Sequence, residues 1–261
     1  MKRALCVYKQ YIRISYNSAA AYRANFFFTA VISLLSNLLV PLLTVLIYAG
    51  GSRIPGWTFY EALFIQSVFM LCNGVCAPFF MNMVWLTMDR VREGSYDLLL
   101  LVKPGSTVFI TVASSFELEH IGVLAGGALM FAYTLRRLPP AGVHQWVQFA
   151  VLFMAGVFMT LGCILLMTAT TFKWVGNSRI FEIFDSVTRF GRYPGTIFSG
   201  VLKGLISYVI PVSMLGFFPA SAVLGRAGWG MYMACAPCLL FLILGLAVFR
   251  RMIYLYQSAG G

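Results

Sequence analysis

The sequence predicts an all-α polytopic membrane protein, with about six transmembrane helices and an interfacial helix at its N-terminus. Three observations predict it. Of 261 residues, 60% are hydrophobic and 10% charged, against about 45–50% and about 25% in an average soluble domain. Several apolar runs reach the roughly 20 residues that a bilayer crossing requires. Lys and Arg collect in alternate connections, as they do when one membrane face is cytoplasmic. So few charges cannot cover the apolar surface of a soluble fold of this size. A soluble protein, a disordered chain and a nucleic-acid binder are therefore set aside, in spite of a net charge of +11. The expected surroundings are a lipid bilayer, with no nucleic-acid partner.

The first segment, residues 1–24, reads as an amphipathic helix lying in the membrane interface. Leu5, Tyr8, Ile12, Tyr16 and Ala19 recur every three or four residues, and Lys9, Arg13 and Asn17 occupy another face. Such a helix rests its apolar face on the headgroup boundary. Met1–Arg23 lacks the order of a secretory leader, in which charge precedes an apolar run and a small-residue cleavage site. No cleavage is expected there.

The remainder, residues 25–261, reads as the transmembrane domain. Clear apolar runs cover about 25–48, 59–85, 108–135, 147–172 and 230–249. The five tryptophans mark their ends: Trp57, Trp85, Trp146, Trp174 and Trp229. Trp favours the headgroup zone, where its ring is half wet. Trp57 to Trp85 and Trp146 to Trp174 are each 28 residues apart. At about 1.5 Å per residue that is roughly 42 Å, a bilayer with its interfaces.

The region 178–224 admits two readings. In the first, favoured by hydropathy, 204–224 is span five, and 180–199 is a cytoplasmic amphipathic segment with Glu182, Asp185, Arg189 and Arg192 spaced to pair. In the second, 179–193 crosses as a polar span and 194–224, broken by Pro194, Pro211 and Pro219, folds back into the membrane. Re-entrant backbone is tolerated where protein or water covers it.

Charge then sets orientation. With the N-terminus inside and six spans, fifteen cations fall inside: Lys2, Arg3, Lys9, Arg13, Arg23, Arg90, Arg92, Lys103, Lys173, Arg179, Arg189, Arg192, Lys203, Arg250 and Arg251. Four fall outside: Arg53, Arg136, Arg137 and Arg226. Both termini are therefore expected in the cytoplasm.

The chain has no G-x-x-x-x-G-K-[ST] loop, no H-E-x-x-H and no G-x-S-x-G. It is not expected to be an enzyme or to hold a cofactor or metal. Any nucleotide-driven motor is another chain. Cys235-Ala-Pro-Cys238 lies in an apolar run and reads as small helix residues rather than a redox or zinc pair. Intramembrane polar residues are functional candidates by default. Glu117, Glu119 and His120 are such a group, with Glu117 and His120 on one helix face. They read as a proton or substrate relay, as interhelical hydrogen bonding, or as a pair reaching a hydrated cytoplasmic vestibule. Gly122, Gly126 and Gly127 allow close helix approach.

The connection after span two runs Arg92-Glu93-Gly94-Ser95-Tyr96-Asp97-Leu98-Leu99-Leu100-Leu101-Val102-Lys103-Pro104. Mixed charges followed by four leucines beside the membrane suit a docking helix, with apolar anchors and orienting charges. This stretch resembles the cytoplasmic loop of bacterial ABC type-2 permeases, the membrane subunits of ABC exporters. Gly56-Trp57 with Glu61, Arg192-Tyr193-Pro194-Gly195, Ile210-Pro211-Val212-Ser213, and Phe218-Pro219-Ala220 with Leu224-Gly225 are similar to that family in the same order. The resemblance implies an all-α permease of the bacterial plasma (inner) membrane with both termini cytoplasmic. It implies that Arg92, Glu93, Gly94, Tyr96, Asp97, Leu98 and Leu99 form a coupling helix seated on an ABC ATPase subunit. ATP and Mg would be held by that ATPase. A second permease copy, or a homologous permease, would complete the transporter. The expected function is ATP-driven export of an amphipathic or hydrophobic substrate: a drug, peptide, lipid or glycolipid. The alternative is a secondary transporter or channel using Glu117, Glu119 and His120, for which no internal repeat is evident.

Overall fold

A computed structural model describes residues 2–101, 106–174 and 179–256. Among them there is no strand. Helix α1 (Lys2–Ala21) bends at Tyr22 into α2 (Arg23–Ala49), which spans the run predicted at 25–48. A Thr58–Glu61 capping box starts α3 (Phe59–Cys76); such a box satisfies backbone donors at the helix start. A π-turn over Ala77–Met81 joins α3 to α4 (Asn82–Arg92), giving one rod from 59 to 92. That rod outruns the predicted end at 85. Gly94, at φ +69°, turns the chain into the short α5 (Tyr96–Leu101); that backbone conformation favours glycine.

Span three is not one helix. It is built from α6 (Thr107–Ser114) and α7 (Ile121–Leu135), with residues 115–120 non-helical between them. Helix α8 (Val143–Thr171) lies between Trp146 and Trp174 over most of its length. Then come α9 (Arg179–Thr188), a 3₁₀ turn over Arg189–Arg192, and short pieces that include α10 (Gly200–Gly204) and α11 (Phe217–Val223). Helices α12 (Trp229–Met233) and α13 (Cys235–Leu255) end the described chain. Among the described residues four rods are long and apolar enough to cross a bilayer: 23–49, 59–92, 143–171 and 229–255.

The favoured reading of span five fails. Residues 204–224 form no continuous helix: a π-turn over Leu205–Val209 stops before Pro211, and a 3₁₀ turn over Val212–Leu215 follows. Proline lacks the N–H that would continue the ladder, and its ring clashes with the preceding turn. Pro219 sits within the first turn of α11, where that missing donor costs nothing. Pro194 leads into the 3₁₀ turn Gly195–Ile197. The segment folds back along α3. Thr196 meets Trp57, whose indole N–H donates to its hydroxyl at 2.9 Å. Gly216 lies beside Phe69, where an added Cβ would be 2.9 Å from the Phe69 Cβ. Arg226 then returns to Gly56 and Glu61. The path runs from the Trp57 end of α3 to its middle and back.

Two apolar cores result. One, at the Trp57 end, packs Phe64, Phe69, Leu152, Met159, Met214 and Phe217. The other, at the Arg92 end, packs Met83, Tyr96, Ile110, Ile164, Phe172 and Phe249. Helix α7 is pressed into the bundle through glycine. A Cβ on Gly127 would lie 2.8 Å from the Leu71 nitrogen, and one on Gly122 would collide with the Ala30 carbonyl. The tight packing of span three is thus within this chain, on α2 and α3. Helix α2 buries only Pro41 and Thr44. Its Phe27, Phe28, Ile32, Leu35, Leu39 and Leu46 are bare.

Candidate functional site: a coupling segment and a polar cleft

Helix α5 has two faces. Tyr96 and Leu99 are buried, while Leu98 and Leu101 are 68% and 75% exposed. The spacing of three explains it, because residues i and i+3 share a face. The Tyr96 ring sits between Phe172, at 4.9 Å between centroids, and Tyr256, at 5.5 Å. Its hydroxyl lies 3.1 Å from that of Thr111. Burial pushes the Tyr96 phenol up to about 12. Tyr96 and Leu99 therefore cannot be the outward anchors expected of them. A phenol placed among aromatic residues of the same chain gains more from that core than from an exposed face. Leu98, with Arg92 and Glu93 also exposed and Asp97 half-buried, is what the segment presents outward. Val102, Lys103 and Pro104, the end of the predicted stretch, lie outside the described residues.

The intramembrane polar group is also rearranged. Glu117, Glu119 and His120 occupy the break between α6 and α7, so the expected pairing of Glu117 and His120 on one helix face does not arise. The Glu117 backbone N–H donates to the Pro78 carbonyl at 2.9 Å. The break thus docks on the π-turn of the long rod, two helical irregularities meeting. Such π-turns recur at functional sites. Glu119 turns away and accepts from Asn25 Nδ2 at 3.4 Å.

Glu117 and His120 line a cleft of about 730 Å³. Its other polar walls are Ser33, Ser36 and Asn37 of α2, Asn73 of α3, Asn82 of α4, and Asp185, Arg189 and Arg192. Trp85, Phe181 and Phe184 form an aromatic end, with Trp85 edge-on to Phe181 at 5.6 Å. Arg189 holds Asp185 through two bonds, Nε at 3.0 Å and Nη2 at 2.6 Å. Arg192 Nη2 donates to Asn37 Oδ1 at 3.2 Å, and its guanidinium lies 4.8 Å from the Phe69 ring centre. Sequence reasoning missed Asn37, Asn73 and Asn82 altogether, and placed Arg189 and Arg192 in an amphipathic cytoplasmic segment or a polar span, not in a cleft. The signal was available: single asparagines inside apolar runs are expensive in a bilayer and mark helix contacts or polar paths. Of the proline candidates, Pro194, Pro211 and Pro219 shape the fold-back and do not line this cleft.

A second cavity of about 430 Å³ opens at the Trp57 end, lined by Trp57, Thr196, Lys203, Tyr208, Phe218 and Arg226. Among the described residues no group of His, Cys, Asp and Glu could hold a metal ion.

Residues 34–260 match the family described as ABC-2 family transporter protein. That stretch covers nearly the whole transmembrane domain. The chain belongs to the ABC-2 transporter family. No curated protein and no solved structure matches it. Membership makes this ABC-2 protein a membrane transport component, an all-α permease of an ABC transporter. Its family associates in general with ABC ATPases. In an ABC-2 permease the two regions above divide naturally: α5 lies between the long rod and α6 at one end of the bundle, and the cleft lies among the helices.

Proposed function

We propose that the chain is the permease subunit of an ATP-driven exporter in the bacterial plasma membrane, moving an amphipathic or hydrophobic substrate. It contributes no hydrolysis itself; ATP and Mg are bound by a partner ABC ATPase. The observation that carries this reading is α5. A six-residue helix anchored in the bundle by Tyr96 and Leu99, with Leu98 and Leu101 bare, is rigid on one side and adhesive on the other. That construction suits a lever: a push on the outer face reaches α4, α6 and the end of α13 through Tyr96, Thr111 and Tyr256. The coupling surface is Leu98 and Leu101, oriented by Arg92, Glu93 and Asp97, with Gly94 setting the turn.

Two permeases and two ATPases make the working unit, the second permease being a copy or a homologue. The N- and C-termini face the cytoplasm, on the fifteen-to-four division of cations. Co-expression with its ATPase and purification in detergent is the test. A four-subunit particle whose transport in vesicles requires ATP is the expected result. A monomer that transports without nucleotide would refute the reading.

A further inference from the structure

We propose that the cleft between α2, the long rod and α9 binds a phosphate-bearing amphiphile, with Arg192 as its anion-binding group. Taking that amphiphile as the cargo rests on the exporter reading; the binding itself does not.

The argument starts from an unmet demand. A guanidinium carries five N–H donors. At Arg192 one neutral acceptor is in place, Asn37 Oδ1 at 3.2 Å, while the Nε is buried without any acceptor among the described residues. Asp185 pairs with Arg189 through its Oδ2 and acts on Arg192 only at a distance. No carboxylate lies within ion-pair distance of Arg192 among the described residues. A cation in an apolar bundle without an anion is costly, and is retained where it pairs or serves a pathway.

Among the described residues no carboxylate bonds Arg192, so the bonding anion comes from outside. The planar fork of arginine fits the oxygens of phosphate. About 730 Å³ is ample for a headgroup. The charge in the cleft is divided along its length. Glu117 is fixed at the level of Pro78, nine residues beyond Phe69 on the same rod, roughly 13 Å away. The negative group is therefore drawn to the Arg192 end. The aromatic wall of Trp85, Phe181 and Phe184 favours a ligand with an apolar part over a free ion.

The test uses the full-length chain in a neutral detergent, titrated calorimetrically with dihexanoyl phosphatidic acid. Inorganic phosphate and dihexanoylglycerol separate the phosphate from the apolar part. Saturable binding of the phosphatidic acid is expected, at least tenfold tighter than either comparator. Arg192→Gln should weaken it roughly ten- to a hundredfold, the worth of a charged hydrogen bond. Ser36→Trp fills the cleft from an exposed site on α2, leaves Arg192 in place and should weaken binding as well. Arg250→Gln, outside the cleft, should change nothing.

Wild-type affinity in an Arg192→Gln protein of normal unfolding temperature overturns the proposal. If that variant does not fold, unaltered binding by Ser36→Trp overturns it instead. Equal affinity for inorganic phosphate makes this a free-anion site and overturns the amphiphile. No ATPase is present in the assay, so a failure here leaves the exporter reading standing, and a failure of coupling leaves this result readable.

Discussion

The Tyr96 hydroxyl lies 3.1 Å from the Thr111 hydroxyl, and the ring is enclosed by Phe172 and Tyr256. This joins α5 to α6 and to the end of α13. Tyr96→Ala is expected to destabilise the protein by about 3–5 kcal/mol, as large aromatic truncations in a core do. Tyr96→Phe removes only the hydroxyl pair and should lose about 1 kcal/mol. The phenol titrates at about 12 in the folded protein, above its ordinary value. The neutral form is thus favoured by folding. Its contribution is complete below about pH 10, and is lost as pH rises from about 10 to about 12. Thermal unfolding in detergent should show wild type falling more steeply than Tyr96→Phe over that window. Parallel curves would place the ring in a wetter site than this one.

Leu98 and Leu101 face away from the bundle, so their truncation separates docking from folding. Leu98→Ala with Leu101→Ala should leave the unfolding temperature unchanged. A buried apolar anchor is worth about 2 kcal/mol or more at an interface, roughly a thirtyfold loss of affinity. The ATPase should therefore wash off the purified double variant while its own hydrolysis persists uncoupled. Arg92 and Glu93, at the rim, should alter retention less and in a salt-dependent way. Full retention with normal transport would remove α5 from the coupling path.

The division between legible and illegible follows from what sets each feature. The fold class was legible because bilayer burial acts on composition over twenty residues at a time, and Arg23–Ala49 and Val143–Thr171 each carry that pattern without a break. The break at 115–120 was not, because the π-turn at Ala77–Met81 that receives it lies almost forty residues earlier. The prolines at 211 and 219 were visible, yet hydropathy averaged over them and favoured one continuous span. In the coupling segment the residue types were informative and their direction was not. Only the Phe172 and Tyr256 rings decide that Tyr96 points inward. The cleft was hidden because its polar walls come from five separate stretches of chain, each with only a few polar residues.

Membrane orientation rests on charge alone and has a direct test. A reporter fused after Gly261 should score cytoplasmic, and one inserted at Gly142 should score external. A C-terminus outside would invert the assignment of α5 to the ATPase side.

The glycine contacts of α7 give a prediction about which surfaces are internal. A Cβ on Gly127 meets the Leu71 nitrogen at 2.8 Å, and one on Gly74 meets the backbone of Leu124. Backbone cannot yield as a side-chain tip can. Gly127→Ala and Gly74→Ala should each destabilise by about 1–3 kcal/mol. Gly200→Ala, where an added Cβ meets nothing within 4 Å, serves as control. If these two variants unfolded like wild type but failed to assemble, the glycines would belong to an interface between subunits.

Arg226 closes the fold-back onto the start of α3, and the closure has separable parts. Its Nη2 donates to Glu61 Oε1 at 2.6 Å, its Nη1 to the Gly56 carbonyl at 3.0 Å, and its guanidinium lies 4.4 Å from the Trp57 ring centre. Glu61 also accepts the Thr58 N–H at 2.8 Å, so one carboxylate caps a helix and holds the returning chain. The Arg226 side chain is 42% exposed, so the ion pair by itself is worth at most about 1 kcal/mol. Arg226→Lys keeps the charge but loses the fork and the stacking on Trp57. It should therefore be as destabilising as Arg226→Gln, by about 1 kcal/mol. Glu61→Gln keeps an acceptor for the cap and should be mild, whereas Glu61→Ala loses the cap as well, about another 1 kcal/mol. The measurement is thermal unfolding of the four variants at low and high salt. If stacking on Trp57 dominates, the losses at Arg226 survive high salt. Rescue by Arg226→Lys, or abolition of the difference at high salt, would mean that charge alone closes the fold-back.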